Sequence, residues 1–346
     1  MPEIREHVSP AEAAPPYFGG IDVGGTNIKF GIADCRGRTL GADRIPTEAE
    51  RGPQDAAMRM GAAVRALADR LGIAWSSIAR LGLATPGTMD IPAGRLLTPG
   101  NLPAWHGAPI RDLTSEAAGI PVTFANDANA AAYGEYWCGA GAESESMIMF
   151  TLGTGIGGGI IDQGQLVDGS HSSGGELGHI VIDCHPDAPE NSLGLRGTLE
   201  GYCGSYAVVG RARLAAERSG GLLVEKMSAG AELTPLLIAQ CAEAGDSVAL
   251  QTVLETADYL SVGIASMVHA FDPDYVVLGG AMTFGGAGHP LGEQFIERVR
   301  TQAYLRMFTH LRGQVRIDFA SLGSDAGYLG SAGLACRDHF PDGAPS

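Results

Sequence analysis

The stretch Ile21-Asp-Val-Gly-Gly-Thr-Asn-Ile-Lys29 decides the fold of this chain. Apolar residues precede it from Tyr17 and follow it as far as Ala33, so the sequence predicts two strands joined by a tight Gly-Gly turn. Successive backbone N–H groups at such a bend can form an anion-binding nest, and a side chain on either glycine would block the approach of a phosphate. A simple hairpin turn is the alternative interpretation.

The side chains around this turn favour the anion site. A hydroxyl and an amide add hydrogen-bond donors, and a lysine adds positive charge. Asp22 stands where the first predicted strand ends, so its carboxylate can hold Mg²⁺, through water. We therefore expect a nucleotide-phosphate site formed by Asp22, Gly24, Gly25, Thr26, Asn27 and Lys29.

A second glycine turn, Thr151-Leu-Gly-Thr-Gly-Ile-Gly-Gly-Gly159, repeats the strand–turn–strand pattern. It matches neither the GxxxxGK[ST] loop nor a dinucleotide-binding GxGxxG, because an apolar strand and not a helix follows it. Alone it is consistent with a glycine-rich β-arch. Paired with the first turn it predicts the other side of a phosphate clamp, formed by Gly153, Thr154 and Gly155. A weaker signal, Leu278-Gly-Gly-Ala281 after a buried strand, predicts that Gly279 and Gly280 let an adenine approach the backbone.

Strands alternate with helices along the chain, which indicates an α/β fold. Strands are predicted at 17–23, 28–33, 39–45, 78–84, 122–125, 147–152, 158–161, 275–279 and 315–320, and helices at 54–71, 110–118, 127–138 and 325–336, with helices prevailing between 199 and 271. The proline- and glycine-rich residues 85–108 are predicted to be irregular. Since each glycine turn opens one half of this pattern, we expect a duplicated domain with a cleft between the copies.

Composition excludes several classes of function. A chain of 346 residues is long enough for two domains, and its net charge of −16 argues against nucleic-acid and anionic-membrane partners, which require a basic face. Six cysteines without a CxxC pair indicate reduced thiols. The first 16 residues lack the apolar core of a signal peptide, and no apolar run approaches the roughly 18 residues of a membrane span. We therefore expect a cytoplasmic protein.

A candidate catalytic acid lies in Ala125-Asn-Asp-Ala-Asn129, where a predicted strand ends and a helix begins. Helix capping by Asn or Asp is the competing interpretation. Transfer of a γ-phosphoryl group to an alcohol needs positioning, charge neutralisation and a carboxylate that accepts the hydroxyl proton, a role that Asp127 can fill. Further polar groups that suit a polyhydroxyl ligand stand in two later loops, at Glu176, His179 and Glu200.

Taken together, these motifs resemble the ROK family of repressors, open reading frames and sugar kinases. The resemblance covers residues 17–337 and rests on DVGGTNIK (22–29), TPGTMD (85–90), NLPAW (101–105), ANDANAAAYGE (125–135), TLGTGIGGG (151–159) and GGELGHI (174–180), in the family's order and spacing. It implies the two-domain actin-like ATPase fold, which is ribonuclease H-like, with an interdomain cleft. We expect residues 1–16 to be a disordered tail, 17–124 with 325–346 to form the smaller N-terminal domain, and 125–324 the larger one.

The resemblance also implies residue roles. Asp127 would be the catalytic base, Asn126 a sugar ligand and Gly87 a backbone sugar contact, and the remaining sugar-contacting positions match Glu176, His179 and Glu200. It implies ATP and Mg²⁺ as cofactors, a hexose as substrate and a homodimer as the assembly. Glucose phosphorylated at its 6-hydroxyl is the first choice, and N-acetylglucosamine, N-acetylmannosamine and fructose are the competitors. Polyphosphate remains an alternative donor, although this acidic chain shows no basic track for it.

The sequence departs from the family in one loop. Most members carry C-x-C-G-x-x-G-C-x-E there, whose thiolates form a closed structural zinc site with the histidine of GHI. Here Asn191, Leu193 and Thr198 occupy the three cysteine positions, so we expect no structural zinc. A displaced site formed by Cys184, His185 and Cys203 with His179 is the less favoured alternative.

Two other classes of protein compete with a kinase. Sugar-responsive repressors of the family carry a helix-turn-helix domain before the kinase-like part, whereas only 16 residues precede the first predicted strand here, so we expect no DNA binding. A non-catalytic sugar sensor is the second rival, and the intact DVGGTNIK motif and Asn126-Asp127 argue against it.

Overall fold

The structure, a computed structural model, describes residues 7–341 and 343. Within these residues there are twelve strands: β1 Tyr17–Val23, β2 Asn27–Ala33, β3 Thr39–Pro46, β4 Ile78–Thr85, β5 Thr88–Asp90, β6 Arg95–Thr98, β7 Val122–Asn126, β8 Met147–Leu152, β9 Ile156–Asp162, β10 Gln165–Leu166, β11 Tyr275–Gly279 and β12 Arg316–Phe319. The same part of the chain forms ten α-helices: α1 Pro53–Arg70, α2 Ile110–Ala118, α3 Asp127–Cys138, α4 Leu199–Cys203, α5 Ser205–Ser219, α6 Leu222–Ser228, α7 Pro235–Glu243, α8 Ser247–Phe271, α9 Pro290–Arg306 and α10 Ala326–His339.

Ten of these twelve strands form two five-stranded sheets with one topology, and β5 and β6 form a separate hairpin. The first sheet has the order β3-β2-β1-β4-β7 and the second the order β10-β9-β8-β11-β12. In each, an antiparallel hairpin built around a glycine turn (β1–β2 or β8–β9) is extended by two parallel strands. The predicted duplication of a strand–turn–strand unit is confirmed, and the chain has the mixed α/β, actin-like ATPase fold that was expected.

Each sheet has its own apolar core. Helices α1 and α2 cover the first sheet through residues such as Met60, Val64 and Ile110, which are fully buried. The second sheet is covered by α5, α7, α8 and α9, whose buried positions include Val208, Ile264 and Val299. The buried residues of α1, at 56, 57, 60, 61, 64, 67 and 68, recur with the helical period and form one face.

Helices α3 and α10 pack against each other between the two sheets, and glycine makes their close crossing possible. A Cβ on Gly330 of α10 would overlap the carbonyl group of Ala130 in α3, so only glycine fits there. Helix α10 also lies on β1 and β4, while α3 lies on β9. The two helices therefore connect the halves, and α3 begins at the edge of the first sheet that faces the second glycine turn.

The prediction that residues 85–108 are irregular is wrong. They contain the β5–β6 hairpin, in which Met89 pairs with Leu96, and both of these side chains are buried. Trp105 is also fully buried and donates its indole N–H to the Ala49 carbonyl oxygen at 3.1 Å. Strands of three and four residues are too short to show a period of two, which explains why the prolines and glycines dominated the prediction.

The N-terminal segment is described from residue 7, and residues 1–6 of the predicted tail lie outside the described part. The Val8 N–H donates to the Thr39 carbonyl oxygen, and Val8 and Ala13 pack on the core of the first sheet. We propose the domain limits 17–124 with 325–346 and 125–324, because the strands of the first sheet precede this boundary and those of the second follow it, except that β7 continues to Asn126. Among the described residues, no helix combines the length and apolar character that a membrane crossing requires.

Candidate active site

A cleft of about 590 Å³ opens where the carboxyl ends of β4 and β7 face the turn after β8. The pairing of β1, β4 and β7 is parallel, with Asp22 opposite Ala84 and Ala84 opposite Ala125, so these strands end along one edge. The cleft brings together ten residues predicted from the sequence: Gly87, Asn126, Asp127, Gly153, Thr154, Gly155, Glu176, His179, Glu200 and Gly280.

Asn126 and Asp127 occupy the junction between β7 and α3. Asn126 caps the helix, because its Oδ1 accepts the N–H groups of Ala128 at 2.9 Å and Asn129 at 3.2 Å. Its Nδ2 has no hydrogen-bond partner among the described residues. One Asp127 oxygen, Oδ1, accepts the Ala128 N–H at 2.9 Å, and the side chain borders the cleft. Burial raises the pKa of Asp127 above its ordinary value of 3.8, against the opposing effect of the backbone hydrogen bonds.

Gly87 also lines the cleft and lies between β4 and β5. Its φ of 95° is a left-handed conformation that favours glycine, and a Cβ would stand 2.8 Å from the Thr98 carbonyl oxygen. The backbone of this loop can therefore approach a ligand without an intervening side chain.

Glu176 and His179 belong to one short turn of the Gly-rich loop after β10. Oε2 of Glu176 lies 3.7 Å from Nε2 of His179. Burial raises the pKa of Glu176, and the nearby His179 opposes that shift. The other ring nitrogen of His179, Nδ1, lies 2.9 Å from Nδ2 of Asn191, a residue that sequence reasoning had considered only as a lost zinc ligand.

Glu200 is held by protein donors on both carboxylate oxygens. Oε1 accepts hydrogen bonds from the hydroxyl groups of Ser192 at 2.6 Å and Tyr206 at 3.3 Å, and Oε2 accepts the N–H of Ile156 at 3.1 Å. The side chain is only 6% exposed and packs beneath Gly155 of the second turn. Glu200 therefore ties the 191–200 loop to the second turn, in addition to bordering the cleft.

Asn191, Leu193 and Thr198, which the family resemblance places at cysteine positions, have other roles here. The Asn191 side chain faces His179, Leu193 is exposed, and Thr198 caps α4. Cys203 donates its S–H to the Thr256 carbonyl oxygen, and burial raises the pKa of its thiol to about 12, which disfavours the thiolate that zinc requires. Across residues 7–341 and 343, no group of three or more His, Cys, Asp or Glu side chains is arranged to hold a metal ion, including the alternative set around Cys184 and His185.

The first glycine turn lies beside the cleft, with Gly25 against the cleft-lining Asn101. The Gly24 N–H donates to the Asn27 carbonyl oxygen at 3.0 Å, which closes the turn. The N–H groups of Gly25 and Thr26 have no protein acceptor within the described residues, which is the state that an anion-binding nest requires. Lys29 Nζ donates to the Ser324 carbonyl oxygen at 3.0 Å, just before α10.

Asp22 stands at the start of this turn, half-buried. Burial raises its pKa to about 7, and the negative charge of Asp127 adds to the shift while Lys29 opposes it. The side chain lies against Gly327 of α10 and accepts no hydrogen bond from any described residue. A carboxylate that lacks protein donors suits a bound cation.

The second turn has a parallel construction. The Gly153 N–H donates to the Gly155 carbonyl oxygen at 3.0 Å, and the Ser205 N–H at the start of α5 donates to the carbonyl oxygens of Gly153 and Thr154. The N–H groups of Thr154 and Gly155 are left without an acceptor in the described part of the chain. A second cavity of about 430 Å³ lies next to the cleft, is lined by Gly279, Gly280 and Phe319, and shares Gly280 with it.

Comparison with known proteins identifies the family. The sequence pattern of the ROK family matches residues 18–338. This chain belongs to the ROK family. It is 30% identical to a glucokinase from Thermotoga maritima over 318 residues, which are 91% of this chain and 96% of that protein.

Two solved ROK structures extend the similarity to the fold. A ROK hexokinase from Thermus thermophilus is 33% identical, with a TM-score of 0.78 over 94% of this chain and 100% of the other. A ROK glucokinase from Streptomyces griseus, solved in complex with glucose and AMPPNP, is 29% identical, with a TM-score of 0.73 over 93% and 99%.

Some residues of this site were not predicted from the sequence. Asn101 lines the cleft and lies in a motif used for the family resemblance, yet it was given no role. Thr47 donates to the first turn from beyond β3, and Ser205 supports the second turn from α5. No sequence signal marks the last two, because both are ordinary hydroxyl residues distant in sequence from the turns that they contact.

Proposed function

We propose that this ROK protein is an ATP-dependent hexose kinase that transfers the γ-phosphoryl group of ATP to the sugar 6-hydroxyl, with glucose as the first candidate substrate. The observation that carries the proposal is Asp127, a carboxylate of raised pKa that borders the same cleft as the second glycine turn. The similarity to proteins named glucokinase and hexokinase supports the choice of sugar and donor.

The proposed chemistry uses Asp127 as the general base. Oδ1 is bonded to the Ala128 N–H, which fixes the carboxylate and leaves Oδ2 to accept the proton of the attacking hydroxyl. A raised pKa makes the carboxylate a better proton acceptor than an ordinary aspartate at neutral pH. The sugar hydroxyls would be held by Glu176, His179, the free Nδ2 of Asn126 and the backbone at Gly87.

The phosphates would be held from two sides. The unpaired N–H groups of Gly25 and Thr26 belong to the first half, and those of Thr154 and Gly155 to the second, so a nucleotide bound by both would connect the halves. The apolar cavity beside Gly279 and Gly280 has the character that an adenine ring requires.

Mg²⁺ fits the residues present. Asp22 has an unbonded carboxylate beside the phosphate turn and near the charge of Asp127, and we propose that it holds the ion through water. The bound ion would supply neutralisation of phosphate charge. The positive charge of Lys29 lies close enough to Asp22 to lower its pKa. Lys29 would therefore add a fixed positive charge next to the first glycine turn.

An ADP-release assay with a panel of sugars tests the proposal. ATP and Mg²⁺ would be supplied with glucose, N-acetylglucosamine, N-acetylmannosamine or fructose, and the product identified by ³¹P NMR. We expect the highest kcat/KM with glucose and a 6-phosphate product. A higher kcat/KM with another sugar of the panel would identify that sugar as the substrate in place of glucose. A parallel series with polyphosphate in place of ATP would identify the phosphoryl donor.

Absence of ADP release with every sugar, together with measurable sugar binding by calorimetry, would favour the non-catalytic sensor. The Asp127→Asn variant serves as the matched control, because it keeps the size and shape of the side chain but removes the proposed base. We also propose a homodimer, by analogy with the family, which light scattering of the purified chain would test.

A further inference from the structure

Asn191 has a side chain whose orientation is fixed by its own loop. The residue is only 7% exposed, and its Oδ1 accepts the N–H groups of Leu193 and Leu195, each at 2.9 Å. Backbone N–H groups can only donate, so the atom that they meet must be the oxygen. The opposite atom of the amide is therefore Nδ2, and it points at His179.

The contact between Nδ2 of Asn191 and Nδ1 of His179, at 2.9 Å, determines the tautomer of the histidine. An amide nitrogen has protons to give and no lone pair to accept with, so Nδ1 must be the acceptor. A neutral imidazole that accepts at Nδ1 carries its proton on Nε2. That Nε2–H is on the side of Glu176, 3.7 Å from its Oε2, where His179 borders the cleft.

We propose that Asn191 is a positioning residue that holds His179 as the Nε2–H tautomer, so that the histidine presents a hydrogen-bond donor to an oxygen of the ligand. Beside it Glu176 presents an acceptor. A donor next to an acceptor is complementary to neighbouring hydroxyl groups, each of which both accepts and donates. The identity of the ligand as a hexose rests on the proposed function, whereas the tautomer does not.

The same hydrogen bonds hold the loop of residues 191–200 in place. Oδ1 of Asn191 closes the turn at 191–195, Nδ2 fixes His179, and Ser192 bonds to Glu200, which in turn holds Ile156 of β9. One amide therefore joins the loop to the sugar side of the cleft. The lone pair on Nδ1 is occupied by this bond, so it is not available to a metal.

The Asn191→Asp variant removes the hydrogen bond that orients His179 but keeps the bonds that close the turn at 191–195. The aspartate keeps an oxygen for the N–H groups of Leu193 and Leu195 but replaces the donor that faces His179 with a second acceptor. At a pH at which the imidazole ring stays neutral, His179 then has to donate from Nδ1, so Nε2 loses its proton and becomes an acceptor. Leu195→Ala is the matched control, because Leu195 is 49% exposed and its backbone N–H stays in place.

Two measurements test the proposal in the full chain. The ¹⁵N shifts of the imidazole nitrogens, assigned with a His179→Gln variant, report the tautomer without any ligand. We expect Nε2–H in the wild type and in Leu195→Ala, and protonation at Nδ1 in Asn191→Asp. Calorimetry with glucose reports binding, and we expect Kd to rise about tenfold in Asn191→Asp, the loss of roughly one hydrogen bond, with Leu195→Ala unchanged.

A wild-type His179 protonated at Nδ1 would overturn the proposal, and this result needs no variant to fold. Unchanged glucose affinity in an Asn191→Asp protein whose His179 is protonated at Nδ1 and not at Nε2 would remove the role of Asn191 in binding. If the wild type shows the Nε2–H tautomer but phosphorylates no sugar, the proposed function fails and the assignment of the tautomer stands.

Discussion

Thr47 donates its hydroxyl hydrogen to the carbonyl oxygen of Gly24 at 2.6 Å, although 23 residues separate the two in the chain. The N–H of Thr47 also donates to the Thr26 carbonyl oxygen at 2.9 Å, and its own carbonyl accepts from Arg59. Thr47 is completely buried. The two bonds that Thr47 donates hold the peptide groups of the first turn in place, and the N–H groups of Gly25 and Thr26 have no acceptor among the described residues.

Replacing Thr47 therefore tests the nucleotide role of that turn. We expect Thr47→Val to raise the KM for ATP about fivefold and to lower the free energy of unfolding by about 1 kcal/mol, because the Gly24 carbonyl loses its donor. Thr47→Ser keeps the hydroxyl and should stay near the wild type. Steady-state kinetics with ATP varied, then with sugar varied, would check this, and a Thr47→Val effect confined to the sugar KM would contradict it.

Asp127→Asn should reduce kcat by roughly 10²–10⁴-fold, the usual contribution of a general base. Sugar affinity should remain within a few-fold of the wild-type value, because asparagine retains an oxygen for the Ala128 N–H. Single-turnover measurements alongside calorimetry separate the two effects. Turnover close to that of the wild type would exclude Asp127 as the base.

The same variant should be more stable than the wild type at high pH. Burial raises the pKa of Asp127 in the folded chain, so the folded state favours the protonated acid, and the stability that this contributes is lost as pH rises through the folded pKa. Asparagine does not ionise. We expect the Tm of Asp127→Asn to exceed that of the wild type at pH 8 by more than it does at pH 4, and a difference independent of pH would contradict this.

Glu135 should be essential for stability and not for chemistry. It is fully buried in α3, and its carboxylate accepts the N–H groups of Ala140, Ser321 and Leu322 and the hydroxyl of Ser321. Glu135→Gln places an amide against these donors and should lower the free energy of unfolding by about 3 kcal/mol in urea titrations. The exposed Glu143→Gln is the control, with an expected change below about 0.5 kcal/mol.

Metal chelation should leave the fold intact. Because Nδ1 of His179 is bonded to Asn191, dialysis against a strong zinc chelator should not change the Tm, and activity should return in full when Mg²⁺ alone is restored. Metal analysis should find far less than one zinc per chain. Zinc close to one per chain, or a fall in Tm on chelation, would refute this prediction.

Much of the fold was predictable because its signals are local. Strand β1, helix α3 and strand β11 begin and end where the apolar runs and the polar boundary residues place them. The two glycine turns were recognisable because few structures other than tight turns use that many glycines in succession. The family resemblance then gave the correct fold without any contact information.

The network around the site was not predictable from sequence. The bonds of Asn191 to His179, of Ser192 to Glu200 and of Thr47 to Gly24 depend on which loops meet in space, and no spacing rule encodes this. Asn126 illustrates a different limit: the cap and a free amide nitrogen coexist in one side chain, so the two interpretations of that residue did not exclude each other.

The amide of Asn191 has one more consequence. A carboxamide is neither removed by a chelator nor oxidised by peroxide, and residues 190–200 contain no cysteine or methionine. The loop that orients His179 therefore resists chelators and peroxide, to which a thiolate–zinc cluster is sensitive. The wall of the cleft that it forms should keep its shape in surroundings that are starved of zinc or rich in oxidant.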